Sequence, residues 1–123
     1  MTNKIVLISC ASKKLTYKAK AEDLYISTLF RLSLIYAKKL KPDKIFILSA
    51  KHGLVNLNDE IATYNENLNN KPVSDIKIWA EKVVFKLGKI ANLQNNIFIF
   101  CYLFYINVHL VIHREHTNLF THS

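Results

Sequence analysis

The chain has 123 residues, half of them apolar, and 17 Lys and Arg against 9 Asp and Glu give it a formal charge of +8. This length allows one domain with a modest core, and the apolar half excludes an intrinsically disordered chain. Two cysteines exclude a disulfide-built scaffold, and the apolar run after Lys4 is too short for a secretory signal, so we expect a cytoplasmic protein.

Three short apolar runs predict buried strands, and two amphipathic segments predict helices between them. In chain order, the strand at 4–9 is followed by a helix at 27–40, a strand at 44–49, a helix at 74–90 and a strand at 97–101. The order βαβαβ predicts an α/β fold with three layers, in which helices cover both faces of a short parallel sheet.

The end of the chain differs in character from the rest. We expect residues 1–101 to form a single α/β domain and residues 102–123 to be an atypical tail, because no glycine or proline follows Gly88. We interpret this tail as a frameshifted or otherwise non-native ending. The alternative is a genuine final strand with a frayed end.

Two other interpretations of the tail are disfavoured. The apolar run at 97–112 has 16 residues, fewer than the roughly 20 that a membrane-spanning helix needs. His109, His113 and His116 have helical spacing, but no acid is placed on the face that they share to complete a metal site. We therefore predict neither a membrane association nor a metal.

The positive charge lies in the first half of the chain. Residues 1–58 hold eleven basic and three acidic residues, whereas residues 59–123 hold six of each. A basic half is typical of proteins with an anionic partner, and we expect a nucleotide, nucleobase or nucleic acid. The alternative is a lysine-rich surface that contacts only solvent, because these lysines are scattered.

Two loops that leave the same edge of the predicted sheet hold most of the candidate functional residues. The first loop spans residues 9–14. The second spans residues 49–54 and begins the long connection at 50–72. Ligands of parallel α/β sheets bind beyond the carboxyl ends of the strands, so we predict a site between these loops. With two glycines, the chain has neither a Walker A nor a G-x-G-x-x-G loop, and we predict no cofactor.

Two residues of these loops are predicted to be catalytic. Cys10 follows a buried strand, where Lys13, Lys14 and a helix N-terminus would lower the pKa of its thiol and favour a nucleophilic thiolate. The alternative is a small buried side chain that only packs. His52 would act as a general acid or base, or alternatively would only hydrogen-bond the backbone.

The other site residues are predicted to bind the ligand. They are Ser12, Lys13, Lys14, Tyr25, Ser27, Ser49, Lys51, Gly53 and Tyr64. Gly53 would supply a positive φ that turns the loop. Helix capping by Ser27 and simple packing of Tyr64 are alternatives. We assign Trp79 and Cys101 to the core.

These segments resemble a family of small bacterial and phage proteins classed as a domain of unknown function. The resemblance covers residues 3 to about 100. It is carried by Ile8-Ser9-Cys10, Ser12-Lys13-Lys14, Asp23-Leu24-Tyr25-Ile26-Ser27, Leu48-Ser49-Ala50-Lys51-His52-Gly53-Leu54, Tyr64 and Trp79-Ala80. It implies that a glycine-containing loop follows the third strand, which residues 102–123 lack.

A second similarity concerns Cys10, Lys14 and Tyr25-Ile26-Ser27. With different spacing, they are similar to a motif of archaeosine synthase-type deazaguanine-modifying proteins, which implies nucleobase chemistry. We therefore expect an enzyme or enzyme remnant that acts on a nucleobase, nucleotide or nucleic acid. The alternative is a non-catalytic binding module for a phosphate-bearing ligand or partner.

Overall fold

The computed structural model describes residues 4–90 and the backbone of residues 97–101. Within them lie six strands, three α-helices and one short 3-10 turn. The strands are β1 (Lys4–Ser9), β2 (Ala19–Lys20), β3 (Lys44–Ser49), β4 (Gly53–Asn56), β5 (Glu60–Ile61) and β6 (Ile97–Cys101); the helices are α1 (Ala21–Leu24), α2 (Thr28–Lys39) and α3 (Val73–Ile90); the 3-10 turn is Leu68–Asn70. The tail at 102–123, with its histidines, lies outside the described residues, and its interpretation stays a prediction.

The main sheet has the strand order β4-β3-β1-β6. β1 pairs in parallel with both β3 and β6, so the α/β fold predicted from the βαβαβ pattern is confirmed. The sheet is mixed rather than purely parallel, because β4 adds an antiparallel edge next to β3. The chain reverses through Gly53, whose φ of +71° is the left-handed conformation that glycine adopts without strain.

The helices are amphipathic, as predicted. α2 buries Phe30, Leu34 and Ala37, which recur at helical spacing. The chain crosses from β1 to β3 through α2, and then returns past β1 to β6 through α3. Because such crossovers are right-handed, the two directions place α2 and α3 on opposite faces of the sheet. The point where the direction reverses lies between β1 and β3, and ligands of such sheets bind beyond their carboxyl ends at this point.

The chain between β1 and α2 and the long connection at 50–72 contain short elements that the sequence does not predict. β2 and β5 pair as a two-stranded antiparallel sheet, which ties the chain after β1 to the long connection after β4. Strands of two residues are too short to produce an alternating pattern, which is why the sequence does not predict them. Among the described helices, none has the length and apolarity needed to cross a membrane.

Candidate functional site

Cys10 and Ser49 lie side by side at the carboxyl ends of β1 and β3. Ser9 is opposite Leu48 in the parallel register, and the Cys10 backbone N–H donates to the Leu48 carbonyl at 3.1 Å. The ladder of backbone hydrogen bonds between β1 and β3 therefore extends one residue past the end of β1. Both side chains are buried, and Ser49 is the buried polar residue among the described core positions. The predicted meeting of the two loops at this edge is found.

Lys14 reaches the same place because its segment is bound to the chain before α2. Lys14 forms an isolated antiparallel bridge with Tyr25, flanked by hydrogen bonds from Leu15 N–H to the Leu24 carbonyl at 2.9 Å and from Ile26 N–H to the Lys13 carbonyl at 3.0 Å. This pairing brings the Lys14 side chain beside Tyr25.

The Lys14 ammonium group sits over two aromatic rings. Its Nζ is 4.4 Å from the centroid of the Tyr64 ring and 5.9 Å from that of the Tyr25 ring. Both distances are within the range of cation–π attraction. Nζ also donates to the Ser12 carbonyl at 3.1 Å. These contacts hold a half-buried ammonium group at the mouth of the site.

Three buried hydroxyl groups form a hydrogen-bonded cluster that we call the hydroxyl cluster: Ser49, Tyr64 and Tyr25. Ser49 Oγ donates to Tyr64 Oη at 2.9 Å, and the hydroxyl oxygens of Tyr64 and Tyr25 are 2.6 Å apart. Three hydroxyl groups carry three hydrogens, and two of these form the bonds within the cluster. One phenolic hydrogen is therefore left to donate to a group outside it.

Burial is the main influence on the protonation of these groups, and a negative charge on Cys10 is the second. Burial raises the pKa of Tyr25 to about 12 and raises the pKa of Tyr64 further, and a negative charge on Cys10 adds to both effects. Both phenols are therefore neutral donors at physiological pH. Burial lowers the pKa of Lys14, and the attraction of a Cys10 thiolate opposes that change. A thiolate at Cys10 would therefore stabilise the Lys14 ammonium group.

His52 lies next to the hydroxyl cluster but on its exposed side. Its backbone N–H donates to Ser49 Oγ at 3.0 Å, and its imidazole ring packs edge-on against the Tyr64 ring at 5.5 Å between centroids. The side chain is exposed. A catalytic role for His52 stays a prediction, and the backbone bond shows that His52 also helps to hold the cluster.

The remaining predicted residues divide between structural positions and the surface. Ser27 Oγ accepts from Phe30 N–H at 3.1 Å and caps α2, which is the structural alternative stated for it. Gly53 has the positive φ expected of it. Ser12 and Lys13 are exposed. Their ligand-binding roles stay predictions.

Lys51 does not join Lys14. It lines a separate pocket of about 330 Å³ beside α3, and His52, Trp79 and Lys82 line the same pocket. Lys14 is not among the residues that line this pocket, and contact of both lysines with one ligand stays a prediction.

Sequence reasoning missed the part played by Trp79. It packs against the core as predicted, but its indole Nε1–H also donates to the Ser49 carbonyl at 2.8 Å. The signal for this was the residue type itself, because a largely buried tryptophan needs an acceptor for its N–H. Trp79 thus ties α3 to the end of β3.

Groups that suit a metal ion are absent from the part of the chain that the structure describes. Nowhere in it do three or more His, Cys, Asp or Glu side chains gather in a way that could hold a metal ion. The side chains at this edge of the sheet supply a thiol, an amine and hydroxyl groups.

Comparison with known proteins identifies one family. The family model described as "Family of unknown function (DUF6884)" matches residues 5–121. The match includes most of the segment that we expect to be an atypical ending. No curated protein matches the chain, and no solved structure does.

Proposed function

The chain belongs to the family of unknown function DUF6884, and for this member we propose an enzyme that acts on a nucleobase, nucleotide or nucleic acid. The observation that carries the proposal is the convergence of Cys10, Lys14 and the hydroxyl cluster between β1 and β3. A thiol, a half-buried ammonium group and a neutral phenol donor are the groups needed for nucleophilic addition to a polarised carbon.

Lys14 favours the reactive form of Cys10. A positive charge next to a cysteine stabilises the thiolate, which is the nucleophile. Since burial lowers the pKa of Lys14, its ammonium group is also a ready proton donor. Cys10 and Lys14 can therefore share one proton. It lies either on Lys14, which gives a thiolate and an ammonium group, or on Cys10, which gives a thiol and an amine.

The proposed step is a reversible addition. The Cys10 thiolate forms an S–C bond to an electrophilic carbon of the ligand, and one π-electron pair of that carbon moves to the attached nitrogen or oxygen. The phenolic hydrogen that the hydroxyl cluster does not use hydrogen-bonds this developing negative charge, and the Lys14 ammonium group supplies the proton. No electrons are gained or lost, so the step needs no oxidant or reductant.

Two features support a nucleobase as the ligand. Cys10, Lys14 and Tyr25 are the residues that resemble the motif of archaeosine synthase-type proteins. The excess of positive charge in residues 1–58 suits the phosphate of a nucleotide or nucleic acid.

Alkylation with iodoacetamide tests the proposal. We expect Cys10 of the native full-length protein to be carboxamidomethylated at pH 7, as located by peptide mass spectrometry. Lys14→Gln should slow this reaction by about tenfold, because the charge that favours the thiolate is lost. Lys13→Gln is the matched control. Lys13 is exposed, so solvent screens its charge and, contrary to the expectation from the sequence, its loss should leave the rate within about twofold.

Two outcomes contradict the proposal. One is a Cys10 that stays unmodified at pH 7 in the native protein but reacts after unfolding. The other is an equal rate in the Lys14→Gln and Lys13→Gln variants.

A non-catalytic binding module is the second candidate, and the burial of Cys10 favours it. The Cys10 side chain is 6% exposed, which suits a residue that packs at the end of a strand. This alternative predicts that Cys10→Ala leaves ligand binding unchanged and that binding falls steeply with salt.

A further inference from the structure

We propose that the pocket beside α3 binds the phosphate group of a single nucleotide and that Trp79 contacts its base. The inference that a nucleotide binds here is argued from the pocket alone. The inference that this nucleotide is the substrate of the enzyme rests on the function proposed above.

The pocket lies between the β3–β4 turn, α3 and the segment at 66–71. Its volume is about 330 Å³, and the turn contributes Lys51, His52 and Gly53 to its lining. Pockets for small molecules cover roughly 300–1,000 Å³, so this one is at the small end of the range. That size favours one nucleotide over a larger ligand.

The charged groups of the pocket are mostly positive. Four lysines and two acids line it: Lys51, Lys71, Lys82, Lys86, Glu66 and Asp75. Clustered ammonium groups attract phosphate, because each can donate a charge-assisted hydrogen bond to its oxygens. The pocket therefore favours an anionic ligand.

Two of the four lysines are already engaged. Lys71 pairs with Glu66 at 3.4 Å, and Lys86 Nζ donates to the Leu54 carbonyl at 2.8 Å. Within residues 4–90, Lys51 and Lys82 have neither an ion pair nor a side-chain hydrogen bond. These two ammonium groups can turn to a ligand at no cost in existing bonds.

Trp79 provides an aromatic wall at a fixed position. Its indole N–H is bound to the Ser49 carbonyl at 2.8 Å, which sets the orientation of the ring. A base that stacks on an aromatic side chain binds more tightly, whatever its identity. A basic group next to an anchored indole thus matches the two halves of a nucleotide.

The pocket adjoins the hydroxyl cluster through two residues. His52 lines the pocket, and its ring packs against Tyr64. Ser49 accepts from Trp79 through its carbonyl and bonds to Tyr64 through its hydroxyl group. A ligand held here is therefore next to the groups that we propose carry out the chemistry.

Trp79 fluorescence provides a direct test, because it is the only tryptophan of the chain. The full-length protein is titrated separately with AMP, GMP, CMP and UMP, with the matching nucleosides, and with a single-stranded decanucleotide. We expect at least one monophosphate to change the emission, with a Kd that rises with salt, and its nucleoside to bind about tenfold more weakly.

Lysine variants locate the phosphate. Lys82→Ala and Lys51→Ala should each raise the Kd of that nucleotide about tenfold, since a charged hydrogen bond is lost. Lys77→Ala is the matched control, because Lys77 is exposed on the same helix and does not line the pocket, and should change the Kd less than about twofold.

Three results overturn the inference. They are an emission that no monophosphate changes, equal effects of Lys82→Ala and Lys77→Ala, and Lys82-dependent binding of the decanucleotide alone. Repeating the titration on Cys10→Ala separates this inference from the proposed function. If Cys10→Ala binds the nucleotide as the wild type does, the inference about the pocket holds even when Cys10 proves unreactive. If nucleotide binding does not depend on Lys82, the inference about the pocket fails, and the proposed role of Cys10 is not affected.

Discussion

The hydroxyl oxygens of Tyr25 and Tyr64 lie 2.6 Å apart in the core, although 39 residues separate them in the chain. Tyr25 comes just before α2, and Tyr64 lies in the long connection before α3. Their bond, together with that from Ser49 to Tyr64, fixes this connection against the end of β3. The segment that carries Tyr64 is therefore held at the candidate site and is not a loose link before α3.

Removing the Tyr64 hydroxyl group should destabilise the fold. Tyr64→Phe leaves the buried hydroxyls of Ser49 and Tyr25 without their shared partner, and a buried polar group without a partner costs about 1–3 kcal/mol. Urea unfolding followed by circular dichroism measures the change in the free energy of unfolding. Tyr17→Phe is the control, because Tyr17 is 63% exposed, and equal stabilities of the two variants would show that the cluster contributes nothing.

The raised pKa of Tyr25 should be visible as a late phenol ionisation. Tyr25 ionises at about pH 12, against an ordinary value of 10. A pH-jump experiment at 295 nm measures phenolate absorbance before unfolding. The difference between wild type and Tyr25→Phe should have its midpoint near pH 12, and a midpoint near pH 10 would contradict the burial that we describe.

The same shift predicts how stability depends on pH. A phenol whose pKa is higher in the folded state favours folding at pH values below its unfolded pKa, and this contribution is lost as the pH rises from about 10 to about 12. Two pKa units correspond to about 3 kcal/mol. Tyr25→Phe should therefore flatten the decline in stability over this range, as measured by urea unfolding at each pH.

The bond from Trp79 to Ser49 should contribute measurably to stability. Trp79→Phe keeps an aromatic ring but removes the N–H donor, so we expect a loss of about 1 kcal/mol in the free energy of unfolding. Phe85→Leu, at an exposed position of α3, should change it by less than about 0.5 kcal/mol. If both variants unfold at the same urea concentration, the indole bond has no net effect.

The two glycines should respond to alanine with opposite signs. At Gly53 an added Cβ would lie 3.7 Å from Val83 Cγ2, an ordinary contact, so the cost is that of a positive φ, about 1–2 kcal/mol. At Gly88, inside α3, alanine should stabilise by about 0.5–1 kcal/mol, because glycine is a poor helix former. Thermal melting of both variants gives the comparison, and stabilisation by Gly53→Ala would refute the assigned turn.

Much of this architecture follows from local pattern alone. Apolar β-branched runs determine β1, β3 and β6, and helical spacing determines α2 and α3, because these elements are long enough for a periodicity to show. The order of these elements also places the ends of β1 and β3 at one edge of the sheet. Cys10 and Ser49 were therefore predictable as neighbours.

The partners of those two residues depend on contacts between distant parts of the chain. Lys14 is oriented by a backbone bridge to Tyr25, Tyr64 by a hydroxyl bond to Ser49, and Trp79 by the Ser49 carbonyl. Such bonds leave no periodic trace in the sequence. By itself, the sequence determined the parallel strands of the sheet and the edge where the candidate site lies. Only the tertiary structure decided which side chains meet there, because side-chain direction is set by hydrogen bonds between segments that local pattern does not relate.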